Sequence, residues 1–207
     1  MATSDLTIAD QLRETLGQAA HHEQTVLLCS FQKEESVLLS ALVASPDEVR
    51  ERVRVVTIDT GVLFPETLAT WKRFEGHFGI AIEVEDASGG WTGPDNCCGT
   101  AKVAALERSL QGADAWITGL HRDMSPDRAS TELAEDDEKR GIRKYNPLAY
   151  WTDQDIWREI HAKDLPYNPL HDQGYESIGC APCTNPGAGR EGRWAGTDKT
   201  ECGLHVA

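Results

Sequence analysis

Four of the six cysteines fall into two pairs, Cys97-Cys98 and Cys180-Ala-Pro-Cys183, and thiols at such spacing bind metals or exchange electrons. Taken alone, the Cys-x-x-Cys pair fits a redox dithiol, half of a zinc site or half of an iron–sulfur site. Cys97 and Cys98 bring the thiolates to four. Side chains of adjacent residues diverge, which suits a closed tetrahedral zinc site poorly. A cubane cluster offers a separate iron to each sulfur, so the spacing favours a cluster, with zinc left open. Lys102 follows the first pair by about one helical turn, so its ammonium can face the thiolates or an anionic substrate; on an ordinary amphipathic helix it would simply face solvent. Cys202 stands apart in Lys199-Thr200-Glu201-Cys202-Gly203-Leu204-His205. A thiol there is a candidate nucleophile, and Arg190, Arg193 and Lys199 would raise its thiolate fraction. Cys29, inside an apolar run, reads as a small core residue.

These groups need a scaffold. The apolar run Val26 to Cys29 reads as a strand covered on both faces, followed by a polar turn from Ser30 to Glu35 and a helix from Val37 to Val43. Strands at 53–58, 80–84 and 115–118 alternate with helices at 65–78 and 97–110, and a capped helix runs from Thr152 to His161. The first 24 residues form an amphipathic helix. The expected organisation is an N-terminal helix over 1–24, an α/β unit over 25–165 and an irregular, mobile C-terminal segment over 166–207 of the same domain. The fold class is thus α/β, a doubly wound and mostly parallel sheet. Ligands of such sheets sit at the carboxyl ends of the strands, here the loops 30–36, 59–65 and 119–126. Neither the Walker pattern nor the dinucleotide glycine fingerprint is present.

Charge narrows the ligand. Twenty basic against 34 acidic residues leave −14, which repels nucleic acid and anionic membranes in bulk. An anionic substrate therefore requires cations gathered locally. The acidic run Glu132, Glu135, Asp136, Asp137 and Glu138 reads as a solvated face or mobile loop. No run approaches the roughly 20 apolar residues of a membrane span, and the first residues carry no secretory pattern, so the expected location is the cytoplasm.

Several stretches together resemble the assimilatory sulfonucleotide reductases, in particular their iron–sulfur adenylylsulfate reductase branch. They are Ser30-Phe31, Asp59-Thr60-Gly61 with Leu63-Phe64-Pro65-Glu66-Thr67, Cys97-Cys98, Gly119-Leu120-x-Arg122 with Ser125-Pro126-x-Arg128-Ala129, Asn146-Pro147-Leu148, Asn168 to Cys183, Gly192-Arg193-Trp194 and Glu201 to His205. The resemblance implies an adenine-nucleotide alpha hydrolase-like sheet, and reduction of adenosine 5′-phosphosulfate to sulfite and AMP by thioredoxin in sulfate assimilation and cysteine biosynthesis. It implies a 4Fe–4S cluster on Cys97, Cys98, Cys180 and Cys183, and Cys202 as the nucleophile that becomes S-sulfocysteine. It further implies charge neutralisation by Lys102, Arg122, Arg190 and Arg193, nucleotide cradling by Ser30, Phe31, Gly61, Phe64 and Gly119, and self-association as in many relatives. Two residues depart from the pattern: Gln32 stands where relatives often have a small residue, and His121 where an arginine is usual. The alternatives are reduction of the 3′-phosphorylated nucleotide (whose branch lacks the cluster cysteines), a dual-specificity enzyme that accepts both nucleotides, a non-catalytic zinc and nucleotide binder, and a nucleotide-activating ligase of the same superfamily.

Overall fold

The structure is a computed structural model that describes residues 6–93 and 99–194. Its elements run α1 (Ile8–Ala19), β1 (Thr25–Leu28), α2 (Lys33–Val43), α3 (Asp47–Arg50), β2 (Val53–Asp59), α4 (Pro65–Phe78), β3 (Glu83–Asp86), α5 (Thr100–Ser109), β4 (Ala115–Ile117), β5 (Ala134–Asp137), β6 (Ile142–Tyr145) and α6 (Asp153–Lys163). The six strands form one sheet in the order β3-β2-β1-β4-β6-β5, parallel except for β5. Strand order reverses between β1 and β4, so the carboxyl ends of those two strands diverge and leave a crevice.

The central strands are apolar on both sides, and alternate residues divide between two cores. Leu27, Val55 and Ile117 face one layer with Leu12 and Leu16 of α1, Leu38 and Leu39 of α2, Phe74 of α4 and Ile156 of α6. Val26, Val56 and Trp116 face the other, with Leu106 of α5, Cys180, Cys183 and Trp194. Among the described residues the second face is thus covered by α5 and by a largely irregular stretch. That stretch is irregular, as the sequence suggests, yet through Trp194 it is firmly packed, with Leu170, Ile178, Cys180, Cys183 and Trp194 all buried.

Three elements differ from the sequence expectation. Helix α2 begins at Lys33, four residues before Val37, because its polar first turn is capped: the Gln32 amide donates to Glu35 Oε2 at 3.0 Å. β3 spans Glu83–Asp86 and lies at an exposed edge, shifted along the chain from the expected strand. The acidic run, expected as a solvated face or loop, contributes the edge strand β5, paired antiparallel with β6. Asp136 meets Arg143 at 2.7 Å and Glu135 meets Lys144 at 2.8 Å across the ladder, and opposite charges at paired positions hold this otherwise polar ribbon together. No helix among the described residues is long and apolar enough to cross a membrane.

Leu106 is fully buried where α5 meets the second face of the sheet. Leu106→Ala is expected to cost about 2–5 kcal/mol in urea unfolding followed by tryptophan fluorescence. A loss under ~1 kcal/mol would mean that this layer adds little to the stability of the fold.

Candidate active site

The crevice between β1 and β4 opens into a cleft. Leu28 to Gln32 form one wall, Thr118 to Leu120 a second, and Ile178 to Cys180 a third. Lys102, Arg128, Arg190 and Arg193 all line it, so four cations meet in one opening of a strongly acidic chain. That is the local gathering an anionic ligand requires.

The third wall is fastened by backbone. Leu63 and Cys180 form an antiparallel bridge, and the Ala181 amide donates to Val62 O at 2.9 Å. The Ile178 amide donates to Gln32 Oε1 at 2.7 Å, so Gln32 ties the loop after β1 to the residues just before Cys180. Two Asn-Pro-Leu stretches do similar work. Asn146 accepts from the Thr118 hydroxyl at 2.6 Å and so fixes the end of β4, while Asn168 donates to Thr67 Oγ1 at 3.0 Å and anchors the C-terminal segment to α4.

Arg193 is buried against Gly179: a Cβ there would lie 2.5 Å from its Nη2, so only glycine lets the guanidinium settle. Nη1 donates to Ser177 Oγ at 3.2 Å and to Ile178 O at 3.3 Å. The guanidiniums of Arg193 and Arg190 both sit over the Trp194 ring, at 4.5 and 5.1 Å from its centroid. Trp194 in turn donates its amide to Cys183 O at 2.9 Å.

Cys180 and Cys183 flank a single 3-10 turn and are both buried. Each sulfur has a polar partner: the Thr60 hydroxyl is 3.2 Å from Cys180 Sγ, and the Trp91 indole N–H donates to Cys183 Sγ at 3.4 Å. A smaller cavity beside them is lined by Thr60, Trp91, Gly99, Lys102 and Cys180 among others. Lys102 and Cys180 border both this cavity and the main cleft. Cys97, Cys98 and Cys202 lie outside the described residues.

The other expected residues are placed as follows. Ser30, Phe31 and Gly119 line the cleft, but the Ser30 hydroxyl donates to Glu35 Oε2 at 2.9 Å, and Phe31 is buried in a stack on Trp71. Gly61 and Phe64 are not in the lining. Gly61 turns the chain at φ 71°, where a Cβ would meet Ser88, and Phe64 packs edge-on against Tyr175. Arg122 also lies off the cleft: it pairs with Glu132 at 2.7 Å and covers the Tyr150 ring. His121 is fully buried with Nε2 3.3 Å from Glu34 Oε1, so it faces the base of α2 instead of the cleft. Sequence reasoning passed over Arg128 and Glu35 as cleft residues. Arg128 was visible within the Ser-Pro-x-Arg stretch, whereas nothing local to Glu35 distinguishes it from a helix-capping acid.

Electrostatics beneath the cleft are uneven. Lys33, Glu34 and Glu35 are all buried. Burial would raise the Glu34 carboxyl, but its hydrogen bond with His121 and the Lys33 charge hold it below the usual carboxylate range. Burial and the neighbouring Glu34 charge push Glu35 up to about 8, against the donors Ser30 and Gln32.

Residues 24–186 match the family described as the phosphoadenosine phosphosulfate reductase domain. The chain is similar to the adenosine 5′-phosphosulfate reductase of Bacillus pumilus, with 43% identity over 201 residues covering 88% of this chain and 84% of that one. It is also similar to the phosphoadenosine 5′-phosphosulfate reductase of Gloeobacter violaceus, with 40% identity over 204 residues covering 89% and 83%. In three dimensions it is similar to a phosphoadenylyl-sulfate reductase of Candida auris solved as a phosphate complex, at a TM-score of 0.69 and 20% identity, covering 87% of this chain and 98% of that one. At that identity the likeness speaks for the fold.

A carboxyl that titrates at about 8 when folded, against an ordinary 4.5, keeps a proton that the unfolded chain has released, so it costs stability as pH rises through that interval. Glu34 has the opposite sign, and its contribution is lost only below the ordinary carboxylate range. Glu35→Gln should therefore gain thermal stability relative to the parent as pH rises from about 5 to about 8. Melting curves that stay parallel across that range would contradict the assignment.

Proposed function

The chain belongs to the phosphoadenosine phosphosulfate reductase family and is an oxidoreductase, and we propose that it reduces adenosine 5′-phosphosulfate to sulfite and AMP with electrons from thioredoxin. The observation that carries this reading is that one cleft, at the switch point of the sheet, joins four cations to the wall bearing Cys180. The phosphosulfate would lie at the carboxyl ends of β1 and β4, its charge met by Lys102, Arg128, Arg190 and Arg193.

The Cys202 thiolate attacks the sulfate sulfur; the sulfur–oxygen bond to phosphate breaks, and AMP leaves with that electron pair. S-sulfocysteine remains. A thiolate of thioredoxin then attacks the Cys202 sulfur, sulfite leaves as the S–S bond breaks, and a mixed disulfide forms. The second thioredoxin thiolate resolves it, restoring Cys202 and oxidising thioredoxin by two electrons. AMP is already a good leaving group, so the protein's contribution is orientation and charge neutralisation.

Cys180 and Cys183, together with Cys97 and Cys98, would hold a 4Fe–4S cluster. The two described thiols fit it: they are buried side by side, each sulfur faces an O–H or N–H, and the adjoining cavity reaches Gly99, the residue bonded to Cys98. Bound there, the cluster would supply charge and structural closure rather than the transferred electrons, which thioredoxin provides in full. Lys102 borders both cavities and is suited to lie between cluster and substrate anion. The four cysteines favour adenosine 5′-phosphosulfate over its 3′-phosphorylated form, and the activity would lie in cytoplasmic sulfate assimilation.

Mixing the anaerobically purified chain with adenosine 5′-phosphosulfate and no reductant should add one SO₃ to Cys202, seen by peptide mass spectrometry, and Cys202→Ser should release no sulfite on addition of thioredoxin. An unmodified Cys202 in a preparation that turns over would refute the intermediate. Lys102→Gln should slow sulfo transfer by about 10²-fold or more while retaining iron and the cluster's visible absorption; full activity would remove Lys102 from the site.

A further inference from the structure

One acidic side chain that lines the cleft has no part in the reaction just described. Glu34 and Glu35 are consecutive, both buried in the first turn of α2, and differ in their partners. Glu34 Oε1 faces His121 Nε2 at 3.3 Å and Lys33 Nζ at 3.9 Å, with Asp153 closing the network on Lys33 at 2.7 Å. Glu35 meets neutral donors alone among its described hydrogen bonds: the Ser30 hydroxyl and the Gln32 amide, both on Oε2. The Ser30 and Gln32 bonds leave Oε1 free of donors from other described residues, and the backbone N–H of Glu35 itself also faces the carboxyl. Oε1 abuts Gly119, where a Cβ would come within 2.7 Å, and the residue lines the nucleotide cleft.

Two adjacent carboxyls out of water do not both ionise readily; the one with cationic company takes the charge and the other keeps a proton. Because Oε2 already accepts two hydrogen bonds, the proton belongs on Oε1. We propose that Glu35 is a binding residue of the cleft that acts as a carboxylic acid, donating its Oε1 hydrogen to a phosphate oxygen of the bound nucleotide. This rests on the nucleotide reading above and adds to it a proton that binding holds in place. Ionised, the same group would oppose the four cations and repel the ligand.

Titratable and charged groups face Glu35 from several elements. On α2 these are Lys33, held above the ordinary lysine range by Glu34 and Asp153 against the cost of burial, and Glu34. Just after β1 it is Cys29, whose thiol burial and the Glu35 charge push far up. After β4 it is His121, beyond Glu34, and around the cleft Lys102, Arg128, Arg190 and Arg193. The acid form is the binding form, so affinity is level below about 8 and falls as pH rises beyond it.

The test is calorimetric binding of AMP to the full chain from pH 7 to pH 9, where the phosphate (second pKa ~6) stays dianionic. Parent affinity should weaken about tenfold across that range, with close to one proton taken up per AMP at its upper end, measured in buffers of different ionisation enthalpy. Glu35→Gln, which keeps an N–H donor, should bind with less than about twofold change and no proton uptake. Glu34→Gln removes the neighbouring charge and should move the parent's midpoint to lower pH, an independent reading should the first variant fold poorly. Proton-free binding by the parent, the parent's slope in Glu35→Gln, or an unmoved midpoint in Glu34→Gln would overturn the inference while leaving the function intact. A parent that binds no AMP at any pH overturns the function first, and this with it.

Discussion

The short antiparallel contact between Leu63 and Cys180 is the join on which the rest depends. It carries the irregular segment after Asp164 back to the loop that follows β2, at the carboxyl edge of the sheet where a doubly wound fold leaves its crevice. With that join made, Ile178 to Cys180 become the third wall of the cleft, and Cys183 reaches the second core beneath Trp194. Without it the cations of this segment would have no fixed relation to β1 and β4. A wall lacking helix or strand must be secured one hydrogen bond at a time, which is why Gln32, Asn168, Thr60 and Arg193 all spend side-chain bonds on it.

The cysteines and the alternation of strands and helices were legible in the sequence for different reasons. Cysteine pairs announce themselves by residue type, and the apolar runs of β1, β2 and β4 need no knowledge of their neighbours. The ribbon β5–β6 was hidden because Ala-Glu-Asp-Asp and Ile-Arg-Lys-Tyr have little strand character of their own. They pair because register sets Asp136 against Arg143 and Glu135 against Lys144, and that register exists only in the folded sheet. The polar stretch Lys33-Glu34-Glu35 looked like a surface turn for the same reason. Charged residues are rarely buried unless paired, and the partners here, His121 and Asp153, come from far along the chain.

Arg122 shows the limit of carrying a role by motif position. It lies in the expected stretch after β4, yet Glu132 and the Tyr150 ring hold its guanidinium on another face. Arg128, six residues on, lines the cleft instead. Ser125, in extended backbone, separates the two 3-10 turns that carry Arg122 and Arg128, so arginines of one motif can serve separate purposes.

Helix α2 illustrates how a chain of net charge −14 manages to offer an anion site. The amino end of a helix following a parallel strand is the usual seat for a phosphate, where free amides and the helix dipole favour negative charge. Here the chain's own acids occupy that end, and Glu35 already receives the Gln32 amide. The dipole and Lys33 therefore stabilise Glu34, and a ligand has to be met by other means: the cations on α5, on the turns after β4 and on the C-terminal segment, together with whatever hydrogen Glu35 presents. Placing the positive charge on three separate segments has a structural consequence. The site is complete only when the sheet, α5 and the last described residues are assembled, so affinity for the anion and integrity of the fold are coupled through the same few side chains.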